Sequence, residues 1–84
     1  MFLAKVYVTL KKSVLDPQGV TVQNALKSLA FQGVEDVRLG KYMEIKLNSK
    51  SAKEAEDILK NMCQKLLVNP VIEQYSYDIT RIET

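Results

Sequence analysis

The 84-residue chain has no histidine and no tryptophan, one cysteine, three glycines and two prolines. Without histidine the commonest general base and metal ligand is missing, and no Ser–His or Cys–His nucleophile pair can be assembled. A single cysteine, Cys63, excludes an internal disulfide and a thiolate zinc site. Apolar runs are only a few residues long, and lysine interrupts the stretch Met1 to Leu10, so neither a transmembrane span nor a signal peptide is expected. Charge of one sign is scarce too. Twelve Lys and Arg oppose ten Asp and Glu, a formal net charge of +2, with the cations spread along the chain rather than gathered for nucleic acid. An independent enzyme is not expected, and an unpaired thiol points to the reducing cytoplasm.

What is present is the material of one small domain over residues 1–84, with 46% apolar and 26% charged residues. A chain of this size buries roughly 60% of its unfolded surface and, when compact, has a radius of gyration of roughly 12 Å. Its core is thin, and support from oligomerisation is expected.

From Phe2 to Leu10 every even position is apolar while Lys5, Tyr7 and Thr9 take the other parity, the pattern of a half-buried strand. Asp16 before Pro17 has the chemistry of an N-cap and first helical residue. Val22, Ala25, Leu26, Leu29 and Ala30 then recur at helical spacing, and the helix ends before Gly33. Gly19 in the first turn disfavours that start by up to about 1 kcal/mol, which leaves a later start capped by Thr21 as the competing reading. Between Val37 and Leu47 the odd positions Val37, Leu39, Met43, Ile45 and Leu47 are apolar, and only Lys41 breaks the series. Two arrangements fit: one strand of about 11 residues, bent at Gly40, or a hairpin whose three-residue loop pairs Leu39 with Met43. The long strand is preferred, and its surplus length calls for a second chain to pair with.

Ser51 followed by Glu54 is a capping box, and Ala55, Ile58, Leu59, Met62, Cys63 and Leu66 line one side of a second helix that must stop by Pro70. A last strand runs from about Val71 to Ile79, with Tyr75, Tyr77 and Ile79 on one face. The order strand, helix, strand, helix, strand predicts an α+β two-layer sandwich in which two amphipathic helices cover one face of a sheet. If the middle segment splits, the order becomes the ferredoxin-like βαββαβ arrangement.

Few residues suggest chemistry. Cys63 lies on the apolar stripe of the second helix with nothing to activate it and reads as core. Glu35 with Asp36 and Glu56 with Asp57 are adjacent carboxylates that point apart, and Glu56 with Lys60 is an i, i+4 surface ion pair. Gly33 and Gly40 do not belong to a phosphate-binding loop. Arg38, Gly40, Lys41 and Tyr42 set two cations and an aromatic around a flexible glycine and are candidates for a partner contact, as are Tyr75 and Tyr77.

Three segments, LDPQG at Leu15 to Gly19, VRLGKYMEI at Val37 to Ile45 and LLVNPVIEQY at Leu66 to Tyr75, resemble the PurS subunit family of phosphoribosylformylglycinamidine synthase, also called formylglycinamide ribonucleotide amidotransferase. The likeness extends over essentially the whole chain. It implies an accessory subunit in purine biosynthesis that has no active site and binds no cofactor or metal of its own. A glutaminase subunit releases ammonia from glutamine, a synthetase subunit uses ATP, magnesium and that ammonia, and the small subunit bridges the two and assists ammonia transfer. The likeness also implies self-association, as dimer or tetramer, through exchanged or shared strands. Carried onto this chain, it makes Asp16, Pro17 and Gly19 the residues that fix the entry of the first helix. It makes Arg38, Lys41 and Tyr42 a partner surface, to which Asp16 and Pro17 also contribute, and Asn69 with Pro70 the stop of the second helix. Two other readings compete. A ligand-sensing dimerisation module of the ACT kind would need a hairpin at Gly40, and a nucleic-acid binder on a ferredoxin-like sheet lacks its aromatic signature.

Overall fold

A computed structural model describes residues 1–83. In chain order it contains β1 (Phe2–Leu10), α1 (Pro17–Ser28), β2 (Gly40–Leu47), α2 (Ala52–Met62), which continues through a π-helical turn at Cys63–Leu67, and β3 (Glu73–Arg81). The strands form one antiparallel sheet in the order β2-β1-β3. The expected α+β arrangement is present.

The alternation in β1 sets the core. Phe2, Ala4, Val6 and Val8 are all buried on one face. The register places Leu47, Ile45 and Met43 beside Phe2, Ala4 and Val6 on one side, and Ile79, Tyr77 and Tyr75 beside Ala4, Val6 and Val8 on the other. Ala55, Leu59 and Cys63 close this face from above, three successive turns of α2 that present one stripe. Ser51 starts that helix, its hydroxyl accepting the Glu54 N–H at 3.2 Å. At the far end the Val68 N–H reaches back five residues to the Cys63 carbonyl at 3.0 Å, the single π turn before Pro70.

Three expectations change. The last strand starts at Glu73 rather than Val71. Asn69 closes a turn first, its side-chain oxygen accepting the Val71 N–H at 3.1 Å and its carbonyl accepting the Glu73 N–H at 2.7 Å. The middle strand is a single strand of eight residues from Gly40, neither eleven residues long nor a hairpin. Gly40 sits opposite Thr9, where a Cβ would lie 2.5 Å from the Val8 carbonyl oxygen, so only glycine allows the strand to enter there. Upstream of it, the Leu39 N–H is taken by Asp16 at 2.8 Å, which draws residues 37–39 away from the sheet.

The third change is the largest. Among the described residues α2 is the helix that packs on the sheet, lying on β3 and β1. Helix α1 stands off it, and the chain has a radius of gyration of 16.6 Å with extents of 51 × 29 × 15 Å. That radius exceeds the roughly 12 Å of a compact domain of this length, so the second helix of the expected layer is present but not in place.

Candidate interaction site

Helix α1 begins where its sequence says it should. The Asp16 carboxylate caps it by accepting the Gly19 N–H at 3.0 Å, and Pro17 occupies the first turn, where a missing N–H is harmless. Thr21 is not the cap; its hydroxyl bonds the Pro17 carbonyl instead. At the other end the Ala30 N–H bonds the Lys27 carbonyl and the Phe31 N–H bonds the Leu26 carbonyl, a Schellman closure that puts Ala30 in the left-handed region at φ 69°. The stripe between those caps is uncovered. Leu29 is 71% exposed and Phe31 58%, Val22 and Ala25 are exposed, and Leu26 is half-buried. Full burial of a large apolar side chain stabilises by roughly 1.5–3 kcal/mol, so covering Leu29 and Phe31 alone would contribute about 2–4 kcal/mol.

Polar clasps hold this helix in its extended position. Asp16, only 6% exposed, uses one carboxylate oxygen for Gly19 and the other for Leu39, tying the helix start to the approach to β2. Those two backbone donors, Leu39 foremost, hold its carboxyl below the ordinary carboxylate range. Gly19 is required at the same junction, because a Cβ there would fall 2.1 Å from the Val37 carbonyl oxygen. The Arg38 guanidinium donates to the Lys12 and Val14 carbonyls, each at 2.9 Å, and lies 3.7 Å from Asp36. The Gln23 amide donates to the Glu35 carbonyl at 2.9 Å and fastens the returning chain along the helix. Residues 12–39 are therefore an ordered arm, bonded within itself, with an apolar face that none of the described residues covers.

The sequence candidates fall into separate places. Asp16, Pro17, Gly19 and Arg38 meet at the root of the arm, where the guanidinium of Arg38 is engaged within the chain rather than held out. Lys41 breaks the apolar parity on the core side of β2, and its ammonium reaches the Glu73 carboxylate at 3.9 Å across a cleft of about 200 Å³ that Gly40 and Leu39 also line. Tyr42 is on the opposite, open face. It packs against Tyr7 with ring centroids 5.1 Å apart and the planes tilted by 34°, and donates to Glu44 at 2.8 Å, which pushes its phenol up to about 12. Tyr75 and Tyr77 stack on the helix side of β3 with centroids 6.3 Å apart. Tyr77 donates to Glu56 at 2.8 Å, and Lys60 pairs with the same carboxylate at 3.1 Å. The Tyr77 hydroxyl and then Lys60 hold the Glu56 carboxyl below its usual range. Tyr77 thus ties α2 to the sheet, and Tyr75 packs against the buried cluster.

Residue-type reasoning missed Gln23, Leu29 and Phe31 as members of a site. A signal existed, since α1 carries one charged residue, Lys27, where a surface helix usually carries a charged face. Among the described residues no group of three or more potential metal ligands converges, and no helix is long and apolar enough to cross a membrane. Cys63 is buried, and its surroundings push the thiol up. The arrangement offers surfaces, not an activated nucleophile.

Comparison with known proteins gives concordant results. The family model of PurS, described as phosphoribosylformylglycinamidine (FGAM) synthase, matches residues 3–81. The phosphoribosylformylglycinamidine synthase subunit PurS of Bacillus subtilis is 51% identical over 82 residues, 98% of this chain and 96% of that one. The crystal structure of Methanocaldococcus jannaschii PurS superposes with a TM-score of 0.88 at 38% identity, covering 99% of this chain and all of that one. A chain in the structure of PurLQS from Thermotoga maritima superposes with a TM-score of 0.85 at 30% identity, covering 95% and 99%.

Proposed function

This chain belongs to the PurS family, and from that premise we propose that it is the non-catalytic small subunit of a phosphoribosylformylglycinamidine synthase complex, the enzyme of purine biosynthesis that consumes glutamine and ATP. The observation that carries the reading is the whole-chain likeness to a chain of PurLQS, a structure of an assembly rather than of an isolated subunit. The chain works in the cytoplasm, bridges a glutaminase and a synthetase subunit, and helps ammonia pass between them. Glutamine, ATP and magnesium are handled by the larger subunits.

Physical logic supports the role. Free ammonia is protonated and lost in water, so its transfer demands two active sites held in fixed register with solvent excluded between them. A small domain with a stiff, apolar-faced arm is suited to fixing such a register. The uncovered α1 stripe also supports self-association of the subunit.

Reconstitution tests the proposal. The glutaminase and synthetase subunits of the same cell are assayed with formylglycinamide ribonucleotide, ATP and magnesium, with and without this chain. Glutamine-driven amidine formation should depend on the chain, whereas formation driven by added ammonium salt should not. Equal glutamine-driven rates in its absence would overturn the role.

A further inference from the structure

We propose that the cleft at the root of the arm is a binding site for a small zwitterion, a free α-amino acid, whose carboxylate is held by Lys41 and whose ammonium is held by Glu73. Such a site is separate from the bridging role and does not depend on it. The cleft encloses about 200 Å³ over the last residues of β1, with Val8, Leu10 and Leu39 among its apolar walls and Gln18, Lys41 and Glu73 among its polar ones.

Its place follows from the sheet register. Lys41 pairs with Val8 from β2 and Glu73 pairs with Leu10 from β3, so the two charges flank the end of β1 from opposite sides of the same face. Of that strand, the buried cluster takes Phe2, Ala4, Val6 and Val8 and goes no further. Beyond it β2 no longer pairs with β1, because Asp16 takes the Leu39 N–H and the sheet gapes on that side. An apolar residue at position 41 would continue the alternation of β2 and extend the core. Lysine there carries a charge to the gap instead.

The two charged groups are held unequally. Glu73 is fixed, since one carboxylate oxygen accepts the Asn69 N–H at 2.7 Å and its side chain is only 15% exposed. The Lys41 side chain is 69% exposed, and its ammonium approaches the other oxygen no closer than 3.9 Å, whereas a charge-assisted hydrogen bond spans about 2.7–2.9 Å. A slack, exposed pair of this kind contributes little to the fold. A zwitterion exchanges it for two short pairs, carboxylate to Lys41 and ammonium to Glu73. A simple anion is repelled by Glu73 and a simple cation by Lys41, so a ligand that carries both charges close together is the one that satisfies the site. The volume lies below the roughly 300–1,000 Å³ of cofactor-sized pockets, too small for a nucleotide and suited to one amino acid. Leu10 and Leu39 offer apolar contact to the ligand side chain, and Gln18 offers an amide donor and acceptor to its end.

Amide NMR spectra of the full-length chain test the site, with glycine, L-alanine, L-glutamine and L-glutamate as probes and acetate and methylammonium as single-charge controls at matched pH and ionic strength. The expected result is a saturable shift at the amides of Leu10, Lys41 and Glu73 with at least one amino acid at millimolar concentration, and none with either control. Lys41→Met keeps the length of the stem, and Glu73→Gln keeps an acceptor for the Asn69 N–H. Each should weaken the binding by about tenfold or more while the rest of the spectrum stays unchanged. No saturable shift with any of the four amino acids, an equal response to acetate, or unchanged affinity in both variants would overturn the site.

Discussion

The two halves of this molecule are held together by different physics. In the sheet and α2, strand alternation and helical stripe converge on one buried cluster of Phe2, Ala4, Val6, Val8, Leu47, Ala55, Leu59, Cys63 and Val68. In the arm made by α1 and its return segment, almost nothing apolar is buried and the order comes from hydrogen bonds of Asp16, Gln23 and Arg38 to backbone. The sheet half is stabilised by the hydrophobic effect within one chain. The arm has its shape fixed by polar contacts and its apolar surface in reserve, the division expected of a part built to meet another molecule.

That contrast can be broken from the core side first. Leu59→Ala removes a fully buried side chain under α2 and should destabilise the fold by about 2–5 kcal/mol. Denaturant unfolding at fixed protein concentration measures it, and a loss below 1 kcal/mol would show that the cluster is not the true core. Gly19→Ala comes next. Its methyl group would collide with the Val37 carbonyl, and accommodating it should destabilise the arm by about 1–3 kcal/mol, read as faster hydrogen exchange across residues 16–39 with β1 and β3 unchanged.

Asp16→Asn sharpens the comparison through pH. A carboxyl whose folded-state pKa is lowered stabilises the fold above its ordinary value near 3.8, and that stabilisation disappears as pH falls through the lowered value. The variant should melt lower by on the order of 5 °C at pH 7, and the difference from the parent should shrink progressively below pH 4. A difference that is constant down to pH 2 would mean the carboxylate charge is not what holds the arm. The smallest effect has the opposite sign. Ala30 occupies the left-handed region at φ 69°, and Ala30→Gly relieves that strain, so the arm should gain about 1 kcal/mol with no change in the sheet.

The sheet half was legible in the sequence because its signals are self-contained. Parity in β1, the Ser51 cap, and the 55, 59, 63 stripe each specify both an element and the face it buries, and the structure realises all of them. The arm was legible only as an element. The stripe of Val22, Ala25, Leu26 and Leu29 shows that a face is apolar, and periodicity is silent on whether the surface that covers it belongs to the same chain. The early departure of residues 37–39 from the sheet was hidden for a related reason. Apolar alternation continues through Val37 and Leu39, but a single acceptor 23 residues earlier, Asp16, redirects the Leu39 amide. Candidate site residues suffered likewise, since Arg38 reads as an exposed cation until the Lys12 and Val14 carbonyls are seen in front of it. Long-range polar contacts leave no period in a sequence.

The order of pairing in the sheet bears on how the molecule comes into being. Strand β1 is central, flanked by β2 and by β3, and Phe2 pairs with Arg81 at nearly the full length of the chain. The first strand therefore waits for a partner that lies far along the chain, and the core face closes through contacts of long sequence separation, the kind that slow folding. The long-range polar bonds of the arm all lie between residues 12 and 39, so its order does not wait for that distant pairing.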